Sequence, residues 1–233
     1  MWRILKRKLL EARKLTSYFS YALGEIIIIA IGILFALYLN NWNQNKSNNR
    51  KEIRYYRELE VQLREDLRIL NEESSYNQFY FSQFQYAAKL IESNTNSERD
   101  TIGEIALNML RYSDFRRKSN IYQTLINSGE LIILQNHEIT ANLQNLEEVY
   151  NYINRLEENH STIILSHIIP DLKETLQFNP IRVLKPELFF STQFKNDFDI
   201  LIGLMQEKSD AYNQAVDLIQ DIINFIDQEL VSD

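Results

Sequence analysis

Three long stretches of the chain repeat apolar residues at steps of three and four, the spacing that lines one face of an α-helix. The first covers residues 49–93, with Ile53, Tyr56, Leu59, Leu63, Leu67 and Leu70, then Phe81, Phe84, Ala88 and Ile91 on one side. Its polar residues 71–75 predict a break or bend, and residues 94–97 a turn. The second opens at Asn136 as an N-cap and carries Ile139, Leu143, Leu146, Tyr150, Ile153 and Leu156, continuing through Ile164 and Ile168 until Pro170. The third covers residues 192–230 through Phe194, Phe198, Leu201, Met205, Tyr212, Ala215, Ile219, Ile222 and Ile226. Between them, Thr101-x-x-Glu104 reads as a capping box for a short helix through Tyr112. A further helix over residues 119–128 would stop at Gly129. Residues 131–134 are strand-like, but no pairing segment is evident, so a packed connector is expected. Pro170, Pro180 and Pro186 mark the main interruption. Helices with one apolar face bury it most simply against one another, which predicts an all-α, elongated bundle with partly coiled-coil helices.

A different pattern precedes the first of these stretches. Residues 21–39 read YALGEIIIIAIGILFALYL, with one charge, Glu25, and fourteen unbroken apolar or small residues from position 26 to position 39. Such a helix rises ~28 Å, against a hydrocarbon core of ~30 Å, and in lipid a single segment satisfies its backbone only as a helix. Tyr21 on one side and Tyr38 and Trp42 on the other predict anchors at the two membrane interfaces. No small-residue cleavage pattern follows, so the segment reads as an uncleaved signal anchor. Six basic residues before it, against four shortly after, place the amino terminus in the cytoplasm and the remainder outside. The expected division is a basic tail over residues 1–17, the anchor over 18–42 and an extracytoplasmic helical domain over 43–233, in a single-pass protein of the bacterial inner membrane.

Glu25 has two readings. It reaches back to the headgroups, or it belongs to a helix-packing face with Gly32 and Ala36, whose small side chains allow a second helix to approach closely.

The residues of this region carry a resemblance. Tyr21, Ala22, Gly24, Glu25 and Ile26, then Gly32 and Ile33, then Asn40, Asn41, Trp42 and Asn43 give a YAxGEI…GI…NNWN signature. A second stretch, YQTLINSGELIILQNHEI over residues 122–139, has a Ser-Gly-x-Leu turn followed by an Asn that opens a helix. Both resemble an uncharacterised family of single-pass membrane proteins from Bacteroidota, in which many members have Gln where Tyr38 stands. The resemblance implies a membrane anchor and an α-helical body, and it brings no activity.

Composition changes the picture in three respects. Only 5 Gly and 3 Pro among 233 residues disfavour a turn-rich β architecture. Zero Cys removes disulfides, thiol catalysis and thiolate metal sites. The net charge of -7 divides into +5 for residues 1–24 and -12 for the rest, an acidic body that disfavours nucleic acid as a partner.

Chemical motifs are sparse. No Gly-rich phosphate loop, G-x-S-x-G or H-E-x-x-H occurs, and no cofactor or enzymatic activity is expected. Glu157-x-x-His160 has a di-iron spacing but stands alone, so solvated or hydrogen-bonded histidines on a bundle surface are expected, with Glu157 and Glu158 on an acidic face. Arg111, Arg116, Arg117 and Lys118 form a basic connector able to contact an anionic group, or simply a solvated loop. The aromatic segment over residues 75–86 packs into the core or lines a groove. The expected partners are the lipid bilayer and a protein partner or second copy meeting it through helices. The functional expectation is an interaction or scaffold protein of the envelope, with an extracytoplasmic sensing or ligand-binding module as the alternative.

Overall fold

The computed structural model describes residues 2–117 and 120–232, and their side chains apart from residues 2–22, 96 and 232. Helix α1 covers Trp2–Glu92, and the chain divides into two units, Met1–Glu52 and Ile53–Asp233. In the first unit, the side chains of residues 25–39 are exposed. That part of α1 is long and apolar enough, by length and composition, to cross a membrane.

The second unit is built on three long elements. The carboxyl-terminal part of α1 is one of them, and it passes through residues 71–75 without the expected break. Ser75 Oγ bonds Asn71 O at 2.8 Å within the same turn, so polar residues there close on their own helix rather than interrupt it. After a 3-10 turn (Asn96–Glu98) comes α2, Arg99–Leu107. The capping box expected at Thr101 does not form: the helix starts two residues earlier, and Thr101 Oγ1 donates to the Glu98 carboxylate at 3.1 Å. Helix α3 covers Ile121–Ser128, capped by Asn120, whose side chain accepts from the Gln123 amide; Ser119, the expected start of the helix, lies outside the described residues. It ends at Gly129 in the left-handed region, φ 71°, as expected. Residues 131–133 belong to a 3-10 turn, Glu130–Ile133.

Asn136 caps α4 (His137–Ile163), its side chain accepting from the amides of Glu138 and Ile139. The helical course does not stop at Pro170. A π turn over Ile164–Ile168 leads into α5, Ile169–Thr175, where the proline lies in the first turn and its missing N–H costs no hydrogen bond. The two other prolines belong to features that periodicity did not reveal. Pro180 is in the turn of a short antiparallel hairpin, β1 (Leu176–Phe178) with β2 (Ile181–Val183), and Pro186 opens α6, Pro186–Phe189. The hairpin packs against α2 at Gly103, where an added Cβ would come within 3.1 Å of Val183. Helix α7 covers Thr192–Ser232. Apart from the hairpin and the connecting segments, of which residues 111–117 are the longest described, the body is helical, as the periodicity predicts.

Two apolar cores lie along this bundle. The first joins Leu59 to Leu70 of α1, Leu143 to Leu156 of α4 and Tyr212 to Ile226 of α7. The second joins Phe84 to Ile91 of α1, Ile164 to Leu176 around α5, and Phe194 to Met205 of α7. The order of residues makes α7 antiparallel to both α1 and α4.

Candidate functional site

The sequence intervals between the two cores hold polar side chains on every long helix. Glu73 and Asn77 lie between them on α1, Glu157 and His160 on α4, and Lys208 on α7. Glu157, His160, Lys208, Asn77 and Ser113 are all buried. A buried ammonium or carboxylate is tolerated only with hydrogen-bond partners or opposite charge, and the layer supplies both.

Residues 111–117 form no helix or strand, so their backbone groups need partners from elsewhere. The three long helices supply them. Lys208 Nζ donates to Ser113 O at 2.9 Å, Glu157 Oε1 accepts from Phe115 N at 2.8 Å, and Glu73 accepts from Asp114 N at 3.1 Å. Tyr212 Oη lies 2.7 Å from Glu157 Oε1 and 2.9 Å from Ser113 Oγ. The phenol donates its one proton to the carboxylate, and the serine hydroxyl donates to the phenol oxygen. His160 Nδ1 faces Lys208 Nζ at 3.5 Å, and its ring lies 5.4 Å from that of Tyr112. An ammonium beside Nδ1 makes that nitrogen the acceptor, so the ring proton is on Nε2, which has no hydrogen-bond partner among the described residues.

Burial raises the Glu157 carboxyl to about 7, against the opposing pull of the Phe115 amide, the Tyr212 hydroxyl and the Lys208 charge. Burial lowers Lys208 to about 8, with Glu157, Glu73 and Asp114 acting the other way. Burial, and then the Lys208 charge, lowers His160 to about 3, so the imidazole is neutral at physiological pH. Chemically, the layer holds a carboxyl and an amine whose charged forms burial disfavours and whose mutual attraction acts against that burial.

A second polar group lies inside the first core. Asp66, buried on α1, accepts from Tyr150 Oη at 3.1 Å and from Gln62 Nε2 at 3.2 Å. Gln62 Oε1 accepts from Ile121 N at 2.8 Å, which fixes the start of α3. Burial raises the Asp66 carboxyl.

The residues singled out in the sequence fall in separate places. Glu25, Gly32 and Ala36 are exposed within the chain, and a Cβ on Gly32 would meet nothing within 4 Å. Tyr38 and Trp42 are exposed, with Lys46 Nζ 5.4 Å from the Trp42 ring, whereas the side chain of Tyr21 lies outside the described residues. Arg116 pairs with Asp114 at 2.6 Å. Arg117 pairs with Glu147 and lies over the Tyr150 ring at 4.5 Å, while the Arg111 charge acts on the Tyr76 hydroxyl. Lys118 lies outside the described residues. Glu157 and His160 are corrections to the expected surface positions: both are interior, because their face of α4 meets α7 at Lys208 and Tyr212. The signal that identifies them is a polar residue where the three-and-four repeat calls for an apolar one, and Lys208 shows it too, between Met205 and Tyr212.

A family of unknown function, DUF6090, matches residues 25–163, more than half of the chain. The chain belongs to this family. The DUF6090 match takes in the apolar part of α1 from Glu25 onward, the connector, and the α4 side of the polar layer, whereas Lys208 and Tyr212 lie beyond it. No curated protein and no solved structure matches the chain.

Proposed function

We propose that the protein is a membrane-anchored helical interaction protein of the bacterial envelope, without catalytic activity of its own. The apolar part of α1 crosses the inner membrane once, the basic amino terminus lies in the cytoplasm, and the helical body is periplasmic. The observation that carries this reading is the run from position 26 to position 39, whose Ile, Leu and Phe side chains are exposed among the described residues. So large an exposed apolar surface is matched by lipid or by another helix. The open face at Glu25, Gly32 and Ala36 supports a helix partner, since an acid facing hydrocarbon costs about 3 kcal/mol on insertion scales unless something receives it.

Anchoring is tested by carbonate extraction of native membranes and by reporters fused after the last residue. The expected result is protein retained in the pellet and a reporter active only outside the cytoplasm. Release into the wash, or a reporter active only inside, overturns it. Crosslinking in the same membranes tests the seam: Glu25→Gln should lose a crosslinked partner that the unsubstituted protein shows, and an unchanged pattern removes the seam.

A second reading, an extracytoplasmic sensing module that signals through a membrane partner, draws on the buried layer of titratable groups. That layer touches all three long helices, so a change in its charge alters their packing together.

A further inference from the structure

From position 74 to position 88 α1 carries fifteen residues without a charge, in a chain that is 24% charged. The outward side of this stretch and the neighbouring turn of α7 line an open groove of about 820 Å³, a volume suited to a small ligand. Phe79 and Tyr86 lie in it with their rings exposed. They are seven residues apart, two turns of helix or ~10.5 Å along one face.

The polar groups of the groove are oriented in advance. Ser75 Oγ donates to Asn71 O at 2.8 Å and Ser82 Oγ to Gln78 O at 3.0 Å, so both hydroxyl oxygens are left to accept. Across the groove, Ser209 Oγ accepts from the buried Asn77 Nδ2 at 2.9 Å, which leaves its own proton to donate. Gln83 Oε1 accepts from Asn108 Nδ2 at 2.8 Å, which leaves the Gln83 amide nitrogen as the donor of that side chain. The result is a strip of fixed acceptors, fixed donors and two flat apolar rings, with no charge to match.

We propose that this groove binds an uncharged glycan strand. Sugar hydroxyls donate and accept at once, which suits a lining that alternates the two. The C–H faces of sugar rings are apolar and flat, which suits Phe79 and Tyr86, and their separation is about that of alternate sugars in a linear chain. A charged ligand would find no opposite charge among the residues that line the groove. This assignment goes beyond the anchoring reading and does not rest on it.

The test uses the full chain in lipid nanodiscs, free of sugar-headed detergent. Cellotetraose, chitotetraose and maltotetraose are titrated by calorimetry and by saturation-transfer NMR, with a galacturonate tetramer as the charged comparison. At least one neutral tetrasaccharide should bind in the millimolar range. Phe79→Ala and Tyr86→Ala should each weaken it tenfold or more, while Tyr152→Ala, an exposed ring on α4, should not. Because both rings are exposed, melting temperatures should be unchanged. Absence of binding by all three neutral sugars overturns the proposal, as do unaltered binding in the two groove variants and equal binding of the galacturonate. A change of sedimented mass in those variants also overturns it, because a second copy of the chain would then occupy the groove.

Discussion

Glu157 and Glu158 are adjacent in sequence and opposite in circumstance. Glu158 is exposed, while Glu157 is buried between α4 and α7 with its carboxyl raised to about 7 from an ordinary 4.5. A carboxyl that holds its proton more tightly in the folded state takes up a proton on folding throughout that window, so its contribution to stability falls as pH rises. At ~1.4 kcal/mol per unit the full effect is on the order of 3 kcal/mol. His160 acts in the reverse sense: lowered to about 3, it makes the folded state less stable as pH drops below the ordinary imidazole range. In the unsubstituted protein the two slopes oppose each other at mildly acid pH, which hides both. Glu157→Gln separates them, since the amide keeps the size of the side chain and does not titrate. Urea unfolding followed by circular dichroism should show the stability of Glu157→Gln, relative to the parent, increasing by on the order of 3 kcal/mol between pH 4.5 and 7.5. A difference that is constant with pH would remove the carboxyl from the interior.

At the scale of elements, those whose ends carry their own chemistry were legible. Asn136 caps α4 and Gly129 ends α3 as the residue types predict, and the apolar faces of α4 and α7 are the faces that pack. The elements that escaped depend on contacts distant in sequence. The hairpin β1–β2 has three residues per strand, too few for an alternation to register, and packs through Gly103 of α2. Proline breaks a regular helix, which makes Pro170 a stop on sequence grounds, but a π turn just before it places the ring where no amide is needed. The polar layer was legible only as gaps in the apolar repeat, and nothing local says which gaps meet. Two glycines separate the local rule from the tertiary one. Gly129 has φ 71° and open space around it, so Gly129→Ala should cost about 1 kcal/mol through backbone strain alone. Gly203 is exposed inside α7 with nothing within 4 Å of an added Cβ, so Gly203→Ala should stabilise by roughly 0.5–1 kcal/mol. Thermal unfolding of the pair measures both, and the same sign for the two would contradict the assigned helix end.

For the body as a whole, two apolar cores separated by a polar layer raise the question of whether it unfolds once or twice. Each core alone resembles a small bundle, and a layer of buried charge is a poor adhesive, since replacing such groups by apolar ones is often neutral or stabilising. The backbone argues the other way. Residues 53–92 of α1, the course from α4 to α5, and α7 each contribute to both cores without a loop between their contributions. Losing one core would also expose Lys208 and Glu157 while their partners on residues 111–117 stayed held by the other, leaving Ser113 O and Phe115 N unsatisfied. The two cores should therefore melt together. Ile153→Ala empties a fully buried position in the first core and Phe198→Ala one in the second, each costing roughly 2–5 kcal/mol. Calorimetry of either variant should show one transition at a lower temperature, with its van't Hoff enthalpy equal to the calorimetric one. Two transitions, one of them at the parental temperature, would mean that the polar layer is a boundary between independent cores and not a joint.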